Sequence, residues 1–98
     1  MTARRRSLNS WPYPWVLVVW EDIYQTCEWT DNEGIKNHQP EICYTSGWLR
    51  ENTPRVIKVA SSLILGKTRK EDSSDVLSIP RGCILEVKLV KTNGTYKI

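Results

Sequence analysis

His38 is the sole histidine, so nucleophilic catalysis of the Ser/His/Asp kind would have to run through it. It lies in a polar stretch, with no nucleophile-elbow glycines around a serine, and that chemistry is disfavoured. The paired carboxylates Glu21-Asp22 and Glu71-Asp72 are adjacent in sequence. Neighbours in an extended chain point to opposite faces, and neither pair has the apolar surround that would raise a carboxyl into the working range of a general acid. Cys27, His38, Cys43 and Cys83 make a formal four-ligand zinc set. Structural zinc draws on closely spaced ligand pairs, and no CxxC is present. Gly66-Lys67-Thr68 matches only the end of a phosphate-binding loop and lacks its earlier glycine. These residues argue against an enzyme and imply no cofactor, metal or small-molecule substrate.

Binding fares better. Grooves for nucleic acid combine Lys and Arg with stacking rings. The basic candidates here are Arg4, Arg5 and Arg6, then Lys67, Arg69 and Lys70, then Arg81; Trp29 is a further binding residue, and its place after the acidic Glu28 favours a core or interface role over base stacking. The charge is partitioned along the chain. The first ten residues carry +3, residues 11–52 carry −5 and residues 53–98 carry +5. Opposed halves of this kind suit a charged protein partner, or self-association of one copy's acidic half with another's basic half. Asn93-Gly94-Thr95 is a formal glycosylation sequon, but Asn-Gly reads better as a tight turn.

The elements that must position these residues are mostly strands. Ninety-eight residues correspond to one domain, with five Trp and four Tyr available for a core. Residues 1–13 read as a flexible basic arm, and residues 14–98 as a single β-barrel domain. The run Trp15–Trp20 is apolar on both faces, so it is expected to be covered on both sides or to meet another subunit, with Trp15, Val16, Val18 and Trp20 as interface residues. A polar connection over residues 21–40 is expected to hold a short helical turn near Asp22–Glu28 and is long enough to be functional.

Glu41–Glu51 and Arg55–Leu65 form an antiparallel pair, turning at Asn52-Thr53-Pro54, with Gly47 marking a bend or bulge. Residues 66–75 read as a charged loop. Val76–Ile79 is a short strand, Pro80-Arg81-Gly82 a tight turn, and Cys83–Val90 a last strand with Cys83, Leu85, Val87 and Leu89 on one face. The fold class is all-β, a small five-stranded barrel of the SH3-like or Sm-like kind; an open sheet with a helix packed on it is the alternative. Three widely spaced cysteines fit a reducing, cytoplasmic setting, and no apolar run approaches membrane-span length.

The pattern Trp20-Glu21-Asp22, Trp29, Ser46-Gly47-Trp48-Leu49 and Ile79-Pro80-Arg81-Gly82-Cys83-Ile84 resembles small uncharacterised proteins encoded by tailed bacteriophages, over about residues 15–90. That resemblance implies a phage origin and the host cytoplasm, without an assigned activity. A looser resemblance is to Sm-like proteins, whose late strands carry an Ile-Arg-Gly turn before alternating apolar residues. Here Pro80 interrupts that tripeptide, and the first apolar residue after Gly82 comes one place early. The similarity implies a comparable barrel, able to assemble in a ring. The reading reached is a non-enzymatic binding or assembly protein acting through protein–protein contacts, with nucleic-acid binding as the alternative.

Overall fold

The computed structural model describes residues 11–66 and 71–91. Five strands are present: β1 (Trp15–Asp22), β2 (Glu41–Asn52), β3 (Val56–Ile64), β4 (Asp72–Pro80) and β5 (Ile84–Val90). A six-residue helix, α1 (Asn32–Asn37), sits in the β1–β2 connection, and a 3-10 turn, Arg81–Cys83, joins β4 to β5. The strands make one antiparallel sheet in the order β4-β3-β2-β1-β5.

That order forces curvature. The two edge strands, β4 and β5, are consecutive in the chain and joined by only the turn Arg81–Cys83. Four strand spacings of about 4.8 Å would hold them roughly 19 Å apart in a flat sheet. The steps from Pro80 to Ile84 span at most about 14 Å extended, and less when wound as a 3-10 turn. The sheet therefore curls until its edges approach at this end. The Arg81 N–H donating to the Arg55 carbonyl at 2.8 Å ties the turn to the neighbouring β2–β3 turn.

The concave face holds the core. Val16 and Val18 of β1, Ile57 and Val59 of β3, and Ile79 of β4 are buried, with Trp20, Leu49, Cys83 and Ile84 packed against them. The continuous apolar run of β1 thus divides by alternation, odd positions remaining half-buried on the convex side. Gly47 of β2 is buried, because β2 crosses close enough to β3 that a side chain there would meet the Ala60 carbonyl oxygen at 2.8 Å.

On the convex side Trp11, Trp15 and Trp48 pack edge-to-face, with centroids 5.0–6.5 Å apart. The preceding segment is held there too. Leu49 N–H donates to the Pro14 carbonyl at 2.8 Å, and the Arg50 guanidinium lies 3.8 Å over the Tyr13 ring. The Tyr13 hydroxyl donates to Glu71 at 2.7 Å. Arg4, Arg5 and Arg6 lie outside the described residues.

Several expectations need correction. Val16 and Val18 are core residues rather than interface residues, since β1 is an interior strand whose even positions point into the curl. The helix forms at Asn32–Asn37, not near Asp22–Glu28. Asp31 caps it, its carboxylate accepting from the Gly34 N–H at 2.7 Å, whereas Asp22 is the last residue of β1 and its carboxylate accepts from the adjacent Ile23 N–H. The slip in the β2–β3 ladder falls between Leu49 and Glu51, not at Gly47. β4 begins at Asp72, four residues before the expected start, because Ser73 and Ser74 pair with Leu63 and Ser62 and lengthen the hairpin. Cys83 belongs to the 3-10 turn, and β5 starts at Ile84.

Candidate binding surface

The β1–β2 connection projects from the sheet as a lobe with its own local order. α1 is too short to persist by propensity alone, so its cap and flanking contacts must hold it. Ile35 N–H donates to the Asp31 carbonyl at 2.9 Å, and the Tyr24 ring stacks at a tilt on His38, centroids 4.6 Å apart. Tyr24, Gln25, Thr26, Glu28, Thr30, Ile35 and His38 line an open cleft of about 490 Å³.

The lobe combines two properties. Residues 23–40 carry three acids, Glu28, Asp31 and Glu33, against Lys36, and Glu21, Asp22 and Glu41 add three more at the strand ends from which the connection leaves. Among them stand apolar side chains that the fold leaves in water: Trp29 is fully exposed, Ile23 is 88% exposed, and Ile35 and Tyr24 are exposed as well. Scattered apolar residues on a surface are ordinary; four exposed on one connection, with Tyr24 and Ile35 lining one cleft, single this element out as the candidate interaction site.

Of the residues singled out by sequence, only Trp29 belongs to this lobe. Ile23, Tyr24 and Ile35 carry no periodic signal and were not anticipated. Arg81 is engaged in structure. Its guanidinium donates to Asn52 Oδ1 and, at 2.9 Å, to the Thr53 carbonyl, fastening the β4–β5 connection to the β2–β3 turn. That turn is itself closed by Val56 N–H donating to Thr53 Oγ1 at 3.1 Å. Arg81→Ala should therefore lower stability by about 1–2 kcal/mol, the worth of hydrogen bonds to a charged donor reduced by its exposure. A chemical denaturation midpoint unchanged by that substitution would show the contact to be idle.

Trp15 is absorbed in the convex aromatic cluster, and Trp20 packs on the core while its indole N–H donates to Thr45 Oγ1 at 2.9 Å. Lys67, Arg69 and Lys70 lie outside the described residues, so the basic candidates are not brought together with a stacking ring. Cys27, Cys43 and Cys83 are free thiols. Among the described residues no three His, Cys, Asp or Glu side chains converge as metal ligands, and no helix is long and apolar enough to cross a membrane.

A second exposed apolar surface follows the last strand. Leu85, Val87 and Leu89 share the face that alternation marks, yet all three are exposed, because β5 ends the sheet and nothing described covers it. Comparison with protein-family models, with curated proteins and with solved structures finds no match to this chain.

Proposed function

We propose that the chain is a non-enzymatic, phage-encoded binding and assembly protein acting in the host cytoplasm through protein–protein contacts, on an SH3-like or Sm-like barrel scaffold. The barrel is supported by the strand order and by the three-residue turn between the two edge strands, which draws the sheet toward closure. The observation that carries the binding role is Trp29, wholly in solvent on the same net-acidic connection as the exposed Ile23, Tyr24 and Ile35. An indole left in water contributes nothing to the core, while burying it against a partner contributes as much as any side chain can. The surrounding carboxylates select a basic partner and speed its approach.

Selection of peptides displayed at random against the immobilised chain tests this. Enriched peptides should pair Lys or Arg with an apolar anchor. Trp29→Ala should weaken their binding about tenfold or more, the scale of an aromatic hot spot, and leave the unfolding midpoint unchanged, since that side chain touches nothing in the fold. Enrichment of peptides indifferent to Trp29 would overturn the role of the lobe. Binding of single-stranded RNA or DNA with a steep salt slope would instead replace protein by nucleic acid as the partner.

A further inference from the structure

The free edge of β5 has a self-complementary sequence. Among the described residues β5 pairs with β1 along one side only, so its other side offers a row of backbone donors and acceptors to which no described strand is paired. Natural edges are blunted by proline, by charged side chains, by bulges that twist them out of plane or by short length, and β5 itself carries Glu86 and Lys88. β4, the opposite edge, carries such devices: Pro80 at its end and Asp75 at φ 53° within it. β5 has no proline or glycine over its seven residues; a register shift against β1 leaves Leu85 out of the ladder, so residues 86–90 are the regular part of this edge. The strand leaves Leu85 54%, Val87 38% and Leu89 57% exposed.

Read outward from Val87, the strand Ile84-Leu85-Glu86-Val87-Lys88-Leu89-Val90 has the same apolar pattern in both directions, with an acid on one side and a base on the other. Two antiparallel copies centred on Val87 set Leu85 opposite the partner's Leu89, Glu86 opposite the partner's Lys88, and Lys88 opposite the partner's Glu86. Within one chain Glu86 and Lys88 already stand on one face, 3.5 Å apart at their charged ends and more than half exposed. Across a twofold axis those four charges would alternate in sign. Centring the pair on Glu86 or on Lys88 instead would set like charges directly opposite each other, which is unfavourable in a ladder. The charges thus disfavour the two registers nearest the one centred on Val87.

We propose that two copies of this chain associate through antiparallel pairing of β5 with β5 about Val87, joining two five-stranded sheets into one. The dimer is closed by its twofold symmetry, sets Leu85, Val87 and Leu89 side by side with their counterparts in the partner, and leaves both acidic lobes free. It rests on the assembly reading above and supplies the surface that reading leaves open. A seven-residue strand pair is small beside a standard interface, so the association is weak and follows chain concentration.

Sedimentation equilibrium of the full chain, from about 1 μM to about 1 mM (the upper limit corresponding to roughly 4 kcal/mol of association), measures it. The wild type should pass from monomer to dimer. Lys88→Glu and Glu86→Lys should each weaken dimerisation about tenfold by placing like charges opposite one another. The double substitution Glu86→Lys with Lys88→Glu should restore it, and the two single variants mixed together should form a heterodimer. Both side chains are exposed, so circular dichroism should show each variant folded. A wild type that stays monomeric up to the upper limit overturns the dimer while leaving peptide binding at the lobe intact. Dimers indifferent to both charge reversals place the interface elsewhere and equally overturn the proposal.

Discussion

Ile57→Ala is expected to lower stability by about 2–5 kcal/mol, the range for removing a fully buried aliphatic side chain from a core that cannot collapse to fill the space. Ile57 is 1% exposed, pairs across the ladder with Ile79, and belongs to a core of few buried residues. A small domain is stable by only about 5–15 kcal/mol in total. The loss would leave a substantial unfolded fraction at physiological temperature. Urea unfolding followed by tryptophan fluorescence measures it, with Ile23→Ala as the control. Ile23 is as apolar but lies in water, and its truncation should change stability by no more than about 0.5 kcal/mol. Equal effects of the two substitutions would mean that the curled face is not the core.

Gly47→Ala gives the second large effect, and its sign is the informative part. No described glycine, Gly47 included, has a backbone in the left-handed region. On conformational grounds alone, alanine would therefore be expected to stabilise by about 0.4–1 kcal/mol through the unfolded chain. The close crossing of β3 reverses this. A Cβ would meet a backbone oxygen, which cannot swing aside as a flexible side chain would, so the strands must part. A loss of about 1–3 kcal/mol is expected, in the range for overpacking a tight site. Differential scanning calorimetry decides between gain and loss, and a raised melting temperature would show that β2 and β3 do not approach so closely.

The contrast between these two sites also separates what was legible in the sequence from what was not. The β2–β3 hairpin was readable because period-2 alternation and Asn52-Thr53-Pro54 point to the same turn. The number of strands followed from punctuation by Gly and Pro. Alternation says which residues share a face; it does not say whether that face will be covered. Ile57 and Val59 are buried while Val87 and Leu89, on an equally regular strand, are exposed, and the difference is set by strand order. Strand order rests on contacts distant in sequence, such as Val18 with Val87.

The unbroken run Trp15–Trp20 likewise hid its division into a buried and a half-buried set, and with it the reason that Val16 and Val18 cannot serve as an interface. The candidate site was legible only at Trp29. Its apolar companions Ile23, Tyr24 and Ile35 follow no period, and the connection that carries them is held by local contacts, the Asp31 cap and the Tyr24–His38 stack, in a segment rich in turn formers.

The position of β1 has a consequence for how the protein is made. β1 leaves the ribosome before the other strands, yet it requires β5, the last of them, along one whole side: Trp15 pairs with Val90 and Val18 with Val87. At about 5–20 residues per second, the chain between Trp20 and Val90 takes several seconds or more to synthesise. During that interval Trp15–Trp20 is an apolar edge without its second neighbour, the kind of strand that pairs with the wrong chain. The sheet can reach its final order only after Val90 has emerged from the exit tunnel. Chaperone demand should therefore fall on the nascent chain and end once β5 has paired with β1.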